Sequence, residues 1–145
     1  MSLSVSVHRL AASVALPSYQ TAGAAGFDLA ASAALTVLPG EVALVPTGLV
    51  IEVPPGHFLG LFARSSTPLK RGLMVANGVG VVDSDYCGPH DEIKIEVLNF
   101  TAQPVSIQPG DRLAQGVIIP YARADWRERA APDRPTRGGF GATGS

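Results

Sequence analysis

The sequence predicts an all-β domain, a jelly roll or β-sandwich, followed by a short C-terminal segment of different character. Short runs rich in β-branched and other apolar residues recur along the chain, and 16 Gly and 12 Pro among 145 residues separate them. Helical signals are weak, because Gly23 and Gly26 interrupt the Ala-rich region 22–34 and no apolar stripe of period 3.6 runs through it. This punctuation favours short strands over helices.

The predicted strands lie between the Gly and Pro breaks. In IKIEVL (93–98), the two isoleucines and Val97 alternate with the residues between them, which is the period of a strand with one buried face. A short helical turn is expected around residues 67–71. The six strand predictions are residues 42–45, 49–53, 58–62, 79–82, 93–98 and 116–119.

Length, charge and cysteine content exclude several classes of protein. A chain of 145 residues is long enough to bury the core of one domain without disulfides. A formal net charge of -1 with no local basic cluster argues against a nucleic-acid partner. Cys87 is the only cysteine, so we expect a reducing, cytoplasmic setting in which Cys87 is a small packed residue. Proline and glutamate break the apolar stretches well short of the ~18 residues of a spanning helix, so no membrane partner is expected.

The domain is expected to span residues 1–130, and the C-terminal segment residues 131–145, APDRPTRGGFGATGS. Phe140 is the one large apolar side chain of this segment, which therefore cannot fold on a core of its own. Two interpretations follow from its composition: a disordered tail, or a flexible lid that closes over an anionic ligand.

Five short stretches combine glycine with polar side chains. Glycine lets the backbone approach a ligand closely and leaves N–H groups for anions, while arginine, serine, glutamine and threonine suit phosphate oxygens. Each stretch is a weak signal on its own. They are AGFDLAA (25–31), ARSS (63–66), NGVGVVDSDYCG (77–88), GDRLAQG (110–116) and RGGFGATG (137–144).

Taken together and in this order, the five stretches resemble the motif set of the trimeric dUTPase (dUTP pyrophosphatase) family. The resemblance covers residues 25–144 and includes the spacing of 13 from Arg64 to Asn77 and the run G-V-V-D-S-D-Y. It implies a homotrimer of jelly-roll subunits with shared active sites, which hydrolyses dUTP to dUMP and pyrophosphate with Mg²⁺. Such an enzyme limits uracil in DNA and supplies dUMP for thymidylate synthesis.

The third stretch implies a hairpin that binds the nucleoside. By resemblance, Asp83 orients the water that attacks the α-phosphorus, and the end of a rigid strand suits a base that must keep its aim. Tyr86 would pack on the deoxyribose and leave no room for a 2′-hydroxyl. Asn77 would offer its amide to the uracil edge, with Gly80 and Val82 in the same hairpin. From the residues alone, the aspartate and asparagine are equally turn residues and the tyrosine a core side chain.

The first, second and fourth stretches imply the metal and phosphate contacts. Asp28 would act on Mg²⁺ through bound waters while the phosphates bind the ion directly; a turn or N-cap aspartate is the alternative. Arg112 is assigned instead to a structural ion pair with a neighbour such as Asp111 or with a residue across the trimer. The residues implied to contact phosphates are Arg64, Ser65, Ser66 and Gln115.

The fifth stretch implies the lid. Phe140 would stack over the uracil, Thr143 would bind the γ-phosphate, and Gly141 lies between them. Family members commonly have Arg-Gly-X-Gly-Gly-Phe, five residues from arginine to phenylalanine. Here Arg137 lies three residues before the phenylalanine and Arg134 six, so both are candidates for the phosphate clamp.

Two other functions stay open at this point. A dCTP deaminase shares the fold and the ARSS and hairpin stretches, and it requires a glutamate in the strand after the hairpin, where Glu96 falls. A non-catalytic nucleotide sensor or interaction module is disfavoured by an intact candidate base, phosphate arginines and lid. The link GPHDE (88–92), longer than the family pattern, has no assigned role.

Overall fold

The computed structural model describes residues 2–144 and confirms the all-β class. Within that range the chain forms eleven strands and one short helix. The elements are β1 Ser6–Arg9, β2 Phe27–Ala30, β3 Leu35–Val37, β4 Val42–Pro46, β5 Leu49–Glu52, β6 His57–Ala63, α1 Ser66–Arg71, β7 Leu73–Val75, β8 Gly80–Val82, β9 Lys94–Asn99, β10 Val105–Ile107 and β11 Arg112–Pro120.

The strands pair in antiparallel sheets whose neighbours are mostly distant in sequence. The largest sheet has the order β2-β11-β6-β8, and a second has the order β4-β9-β7. Two further pairs, β1-β5 and β3-β10, complete the body. β11 is the longest strand and bonds to both β2 and β6, with a register shift between Arg112 and Ala114. These crossovers place residues from remote stretches on one sheet.

The core consists of apolar side chains from the inward faces of these sheets. Along β9, Ile95 and Val97 are fully buried while Lys94 is exposed, which confirms the predicted alternation. Other fully buried members are Leu29, Val37, Leu59, Leu73, Ile107 and Leu113.

All six predicted strands and the predicted helical turn are present, but five strands were missed. The missed strands, β1, β2, β3, β7 and β10, have only three or four residues each, too few for a period of two to stand out. β11 is also longer than predicted, beginning at Arg112. The expectation for Cys87 was wrong, because the turn after β8 leaves it exposed.

Helix α1 follows the strand that carries the second motif. Pro68 lies in its first turn, where a missing N–H costs little. The helix ends at Gly72, which adopts a left-handed φ of 67° and donates its N–H to the Pro68 and Thr67 carbonyls. Thr67, fully buried, donates its hydroxyl to the Leu113 carbonyl at 2.7 Å and so joins α1 to β11.

The chain changes character after β11. Every residue from 121 to 144 is exposed, and this range contains turns but no strand or helix. Within residues 2–144 no helix has the length and apolar character required to cross a membrane.

Candidate active site

The segment that joins β7 to β8 borders an open pocket of about 390 Å³, a volume within the range of small-molecule sites. The hairpin predicted here is not formed by these two strands, because β7 pairs with β9 and β8 pairs with β6 in a different sheet. We name the pocket the hairpin pocket after the predicted motif. Five residues predicted to serve the nucleoside and the reaction line it together: Asn77, Gly80, Val82, Asp83 and Tyr86. Leu44 of β4, Leu61 of β6 and Lys94 of β9 also line the pocket, together with Glu92 and Ile93 from the segment that precedes β9.

Two glycines shape the segment between β7 and β8 for different reasons. Gly78 has a φ of 75°, in the left-handed region, and donates its N–H to the Val75 carbonyl at 3.0 Å. Gly80 is buried against β6, and a Cβ there would lie 3.0–3.3 Å from three side-chain atoms of Leu61. The absence of a side chain at Gly80 therefore lets β8 pair closely with β6.

Asp83 directly follows β8 and opens a turn. Its backbone carbonyl accepts the Tyr86 N–H at 3.1 Å, and its side chain is exposed on the rim of the pocket. The Tyr86 side chain is 41% exposed and donates its hydroxyl to the Glu92 carbonyl at 3.0 Å. Tyr86 is thus a wall of the pocket and not a core residue.

A second group gathers around Asp28 at the β2–β11–β6 edge. One Asp28 carboxylate oxygen lies 2.9 Å from Arg64 Nε, and the other lies 3.0 Å from Arg112 Nη1. Asp28 is only 13% exposed, so two cations balance one nearly buried carboxylate. Arg64 also donates to the Arg112 carbonyl at 3.1 Å, which makes the three residues one connected group.

The remaining residues predicted for phosphate contact surround this group. Gln115 lies opposite Asp28 in the β11–β2 pairing and donates its amide to the Ala63 carbonyl at 3.1 Å. Ser65 is exposed at the start of α1, and the Ser66 hydroxyl lies 3.5 Å from Arg64 Nη1. The second and fourth motifs therefore meet at one end of the sheet.

The partner of Arg112 differs from the neighbour expected along the chain. Arg112 pairs with Asp28, a residue of the first motif, whereas Asp111 pairs with Arg71 at 2.8 Å. Arg112 reaches Asp28 because the strand register places β11 beside β2. Sequence neighbours could not reveal it, because adjacent strand residues point to opposite faces.

The Arg71–Asp111 pair fixes the turn that leads into β11. The Arg71 guanidinium, which hydrogen-bonds to the carboxylate, holds the pKa of Asp111 below its usual value of 3.8. The Gln108 backbone N–H adds to this effect, and partial burial opposes it. The carboxylate is therefore bonded to the end of α1 and to its own turn at once.

The hairpin pocket and the Asp28 group lie at opposite ends of the same sheet. Asp83 follows Val82, whose partner on β6 is Leu59, whereas Arg64 follows Ala63 at the far end of β6. At the rise of a β-strand, the two ends of β6 are about 20 Å apart. Within one chain, the candidate catalytic residue is thus remote from the candidate phosphate contacts.

The predicted lid residues are not brought to either group. Arg134, Arg137, Phe140, Gly141 and Thr143 are all exposed, and none of them lines the hairpin pocket. Phe140 is fully exposed. The segment leaves the body after Pro120, which pairs with His57 at the same end of the sheet as the hairpin pocket.

Within residues 2–144 no cluster of three or more His, Cys, Asp or Glu side chains could hold a metal ion. A single carboxylate at Asp28 suits an ion held mainly by phosphate oxygens and water, as Mg²⁺ often is. Both Asp28 oxygens accept from arginines, yet each has a second lone pair for a water ligand of such an ion.

The pocket beside the glycine-rich segment between β7 and β8 and the arginine-paired Asp28 are thus two candidate sites on one all-β protein. The family model for dUTPase matches residues 12–144, and the chain belongs to this family.

Named relatives and solved structures agree with this placement. The chain is 45% identical over 151 residues to the deoxyuridine 5'-triphosphate nucleotidohydrolase of Methylocella silvestris, covering 99% of this chain and 92% of that protein. It is 46% identical over 131 residues to the enzyme of that name from Wolinella succinogenes, covering 89% and 86%. The crystal structure of dUTPase from Streptococcus mutans has a TM-score of 0.73 at 40% identity, covering 77% of this chain and 89% of that one. Staphylococcus bacteriophage 80alpha dUTPase with dUpNHpp has a TM-score of 0.88 at 20% identity, covering 99% and 100%, and shows the shared fold.

Proposed function

We propose that this chain hydrolyses dUTP to dUMP and pyrophosphate, and so limits uracil in DNA and supplies dUMP for thymidylate synthesis. The observation that carries the proposal is the meeting of Asn77, Asp83 and Tyr86 at one pocket, in a chain of the dUTPase family. Asn77 supplies amide groups for a pyrimidine edge, and Tyr86 supplies a flat wall for the sugar.

Asp83 is proposed as the group that orients the attacking water. Its exposed carboxylate accepts a proton from water as the water oxygen bonds to the α-phosphorus and the bond to the bridging α–β oxygen breaks. Pyrophosphate leaves with the electron pair of that bond. The turn hydrogen bond from Tyr86 to the Asp83 carbonyl holds the base relative to the sugar wall.

The Asp28 group is proposed to bind the phosphates. Arg64, Ser65, Ser66 and Gln115 supply donors for phosphate oxygens, and Arg64 already has its guanidinium fixed by Asp28. Asp28 would contact waters of a Mg²⁺ ion carried by the triphosphate. That ion, when bound, neutralises phosphate charge.

A homotrimer with shared active sites is proposed to bring the two groups together. The separation of about 20 Å along β6 prevents one chain from presenting both to the same triphosphate. The outward face of the β4-β9-β7 sheet also carries the exposed apolar residues Val42, Leu44 and Met74, of which Val42 and Met74 both pair with Leu98. Such a continuous apolar face is typical of a surface covered by another subunit.

The lid is proposed to be residues 131–145, with residues 1–130 as the jelly-roll domain. Residues 131–144 are all exposed and include four glycines, so the segment can order on a ligand, with Phe140 stacking on the uracil, Thr143 binding the γ-phosphate and Gly141 as a further substrate contact. Arg134 and Arg137 are both proposed as sources of the phosphate clamp.

The test is to incubate the full chain with Mg²⁺ and either dUTP or dCTP, and to assay pyrophosphate and ammonia separately. Pyrophosphate from dUTP without ammonia from dCTP is expected. Ammonia would indicate the deaminase, but Glu96 lies opposite Leu44 on the outward sheet face and does not line the hairpin pocket. Neither product would favour a binding module.

A further inference from the structure

The link Gly88–Glu92 joins the turn after β8 to β9. The motifs of the dUTPase family predict no function for this link. It is internally bonded: the Asp91 carboxylate accepts the Gly88 N–H at 2.8 Å, and the Asp91 N–H is donated to the Gly88 carbonyl at 3.0 Å. A Cβ at Gly88 would lie 3.1 Å from that carboxylate. The link therefore forms a compact turn that is held by its own hydrogen bonds.

Glu92, the last residue of the link, bonds in two directions. Its backbone carbonyl accepts the Tyr86 hydroxyl at 3.0 Å, and its carboxylate accepts the Gly48 N–H at 2.9 Å. Both Glu92 and Tyr86 line the hairpin pocket. The pocket wall is thus connected through Glu92 to the turn between β4 and β5.

That turn is a firm anchor. Gly48 has a φ of 69°, and a Cβ there would lie 2.5 Å from Val14, so the backbone is closely packed. The adjacent Thr47 is buried and donates its hydroxyl to the Ile93 carbonyl at 2.6 Å, and the Ile93 N–H is donated to the Leu49 carbonyl at 2.8 Å. The Glu92 carbonyl therefore lies between two anchored groups: the Glu92 side chain, bonded to Gly48, and the Ile93 backbone, bonded to Thr47 and Leu49.

We propose that Glu92 is a positioning residue, which fixes the Tyr86 ring through its carbonyl and thereby sets discrimination against ribonucleotides. This inference rests on the proposed function. A ring excludes a 2′-hydroxyl only while it cannot tilt away, and a tyrosine held solely by its exposed backbone turn can tilt. The bond from the hydroxyl to Glu92, and from Glu92 to Gly48, removes that freedom.

The experiment compares kcat/KM for dUTP and UTP in the wild type and three variants. Glu92→Ala removes the bond to Gly48, and Tyr86→Phe keeps the ring but removes the bond to Glu92. Each is expected to lower the dUTP/UTP ratio roughly threefold to tenfold, the effect of losing one hydrogen bond. Because the two bonds act in series, the Tyr86→Phe, Glu92→Ala double variant should lose no more than either single variant.

Two matched controls separate positioning from general stability. Glu92→Gln keeps an acceptor oxygen for Gly48 and should retain the wild-type ratio. Glu41→Ala removes a similar carboxylate bond, to the Leu38 N–H at 2.6 Å, at a turn that does not line the pocket, and should leave the ratio unchanged.

An unchanged ratio in Glu92→Ala would overturn the proposal. If that variant does not fold, Tyr86→Phe provides the test. A ring that acts by its bulk alone would keep the wild-type dUTP/UTP ratio in this variant, and that result would overturn the proposal. A wild-type chain that releases no pyrophosphate from dUTP would instead overturn the proposed function, and this inference with it.

Discussion

Asp83 and Asp28 are carboxylates with opposite surroundings, and the difference supports the separate roles proposed for them. Asp28 is nearly buried, and each of its oxygens accepts from an arginine. Asp83 lies exposed at the pocket rim after a rigid strand. Both oxygens of Asp28 are thus occupied by guanidinium donors, whereas the Asp83 carboxylate faces solvent. The exposed one is suited to water.

Replacing Asp83 by Asn is expected to lower kcat for dUTP by about 100-fold or more while nucleotide binding is retained, because shape is kept but the accepting charge is lost. Steady-state pyrophosphate release and equilibrium binding of a non-hydrolysable analogue measure the two effects. Asp85→Asn, on the same exposed turn, is the matched control and should keep its rate. Equal turnover of Asp83→Asn and wild type would remove Asp83 from the reaction.

At the scale of elements, α1 and β11 are joined by side chains from the second and fourth motifs. The buried Thr67 hydroxyl bonds to β11, and Arg71 at the helix end pairs with Asp111. These links hold the backbone on which Arg64, Ser65 and Gln115 stand. The residues proposed to contact phosphate are therefore positioned by structural bonds from Thr67, Arg71 and Asp111.

Asp111→Asn is expected to lower the melting temperature at pH 7, corresponding to about 1 kcal/mol of stability for a partly exposed bidentate pair. Because the folded-state pKa of Asp111 lies below 3.8, the wild-type advantage is present above that pH and disappears as the pH falls below it. Thermal melts of both proteins between pH 7 and pH 3 measure the difference. The exposed Arg129–Asp133 pair provides a control, since Asp133→Asn should leave the melting temperature unchanged across this pH range. A difference that grew on acidification would contradict this account.

At the scale of the whole molecule, the residues proposed to act together are separated within one chain. Asp83 lies at one end of the four-stranded sheet and the Asp28 group lies at the other, and no residue from 121 to 144 lines the pocket or pairs with Asp28. The proposed trimer would make assembly a condition of activity. Two predictions test this arrangement directly.

Mixing two inactive variants is expected to restore activity. If Asp83 and Arg64 of one site come from different subunits, mixed trimers of Asp83→Asn and Arg64→Ala chains contain some sites with both residues intact. Random assembly in equal amounts gives about one quarter of the wild-type rate. The assay is pyrophosphate release after co-refolding, with each variant alone as control. Mixed trimers as inactive as the separate variants would show that both residues belong to one subunit.

Removing residues 134–145 is expected to abolish most turnover of dUTP while the domain stays folded, because this range contributes no strand to the sheets and none of its described residues belongs to the core. Turnover and circular dichroism of the truncated chain give the two readouts. Gly139→Ala, a small change within the tail at a site with open space, serves as a milder comparison. A truncated chain with full activity would make the tail dispensable.

The sequence by itself determined the all-β class, the longer strands and the five glycine-containing stretches, because these depend on local period and on backbone freedom. The tertiary structure decided that Arg112 pairs with Asp28, that Glu92 holds Tyr86, and that the first, second and fourth motifs stand apart from the third. Such contacts depend on the register between strands that are distant along the chain. Local alternation fixes which face of a strand is buried, but it does not identify which distant strand lies beside it.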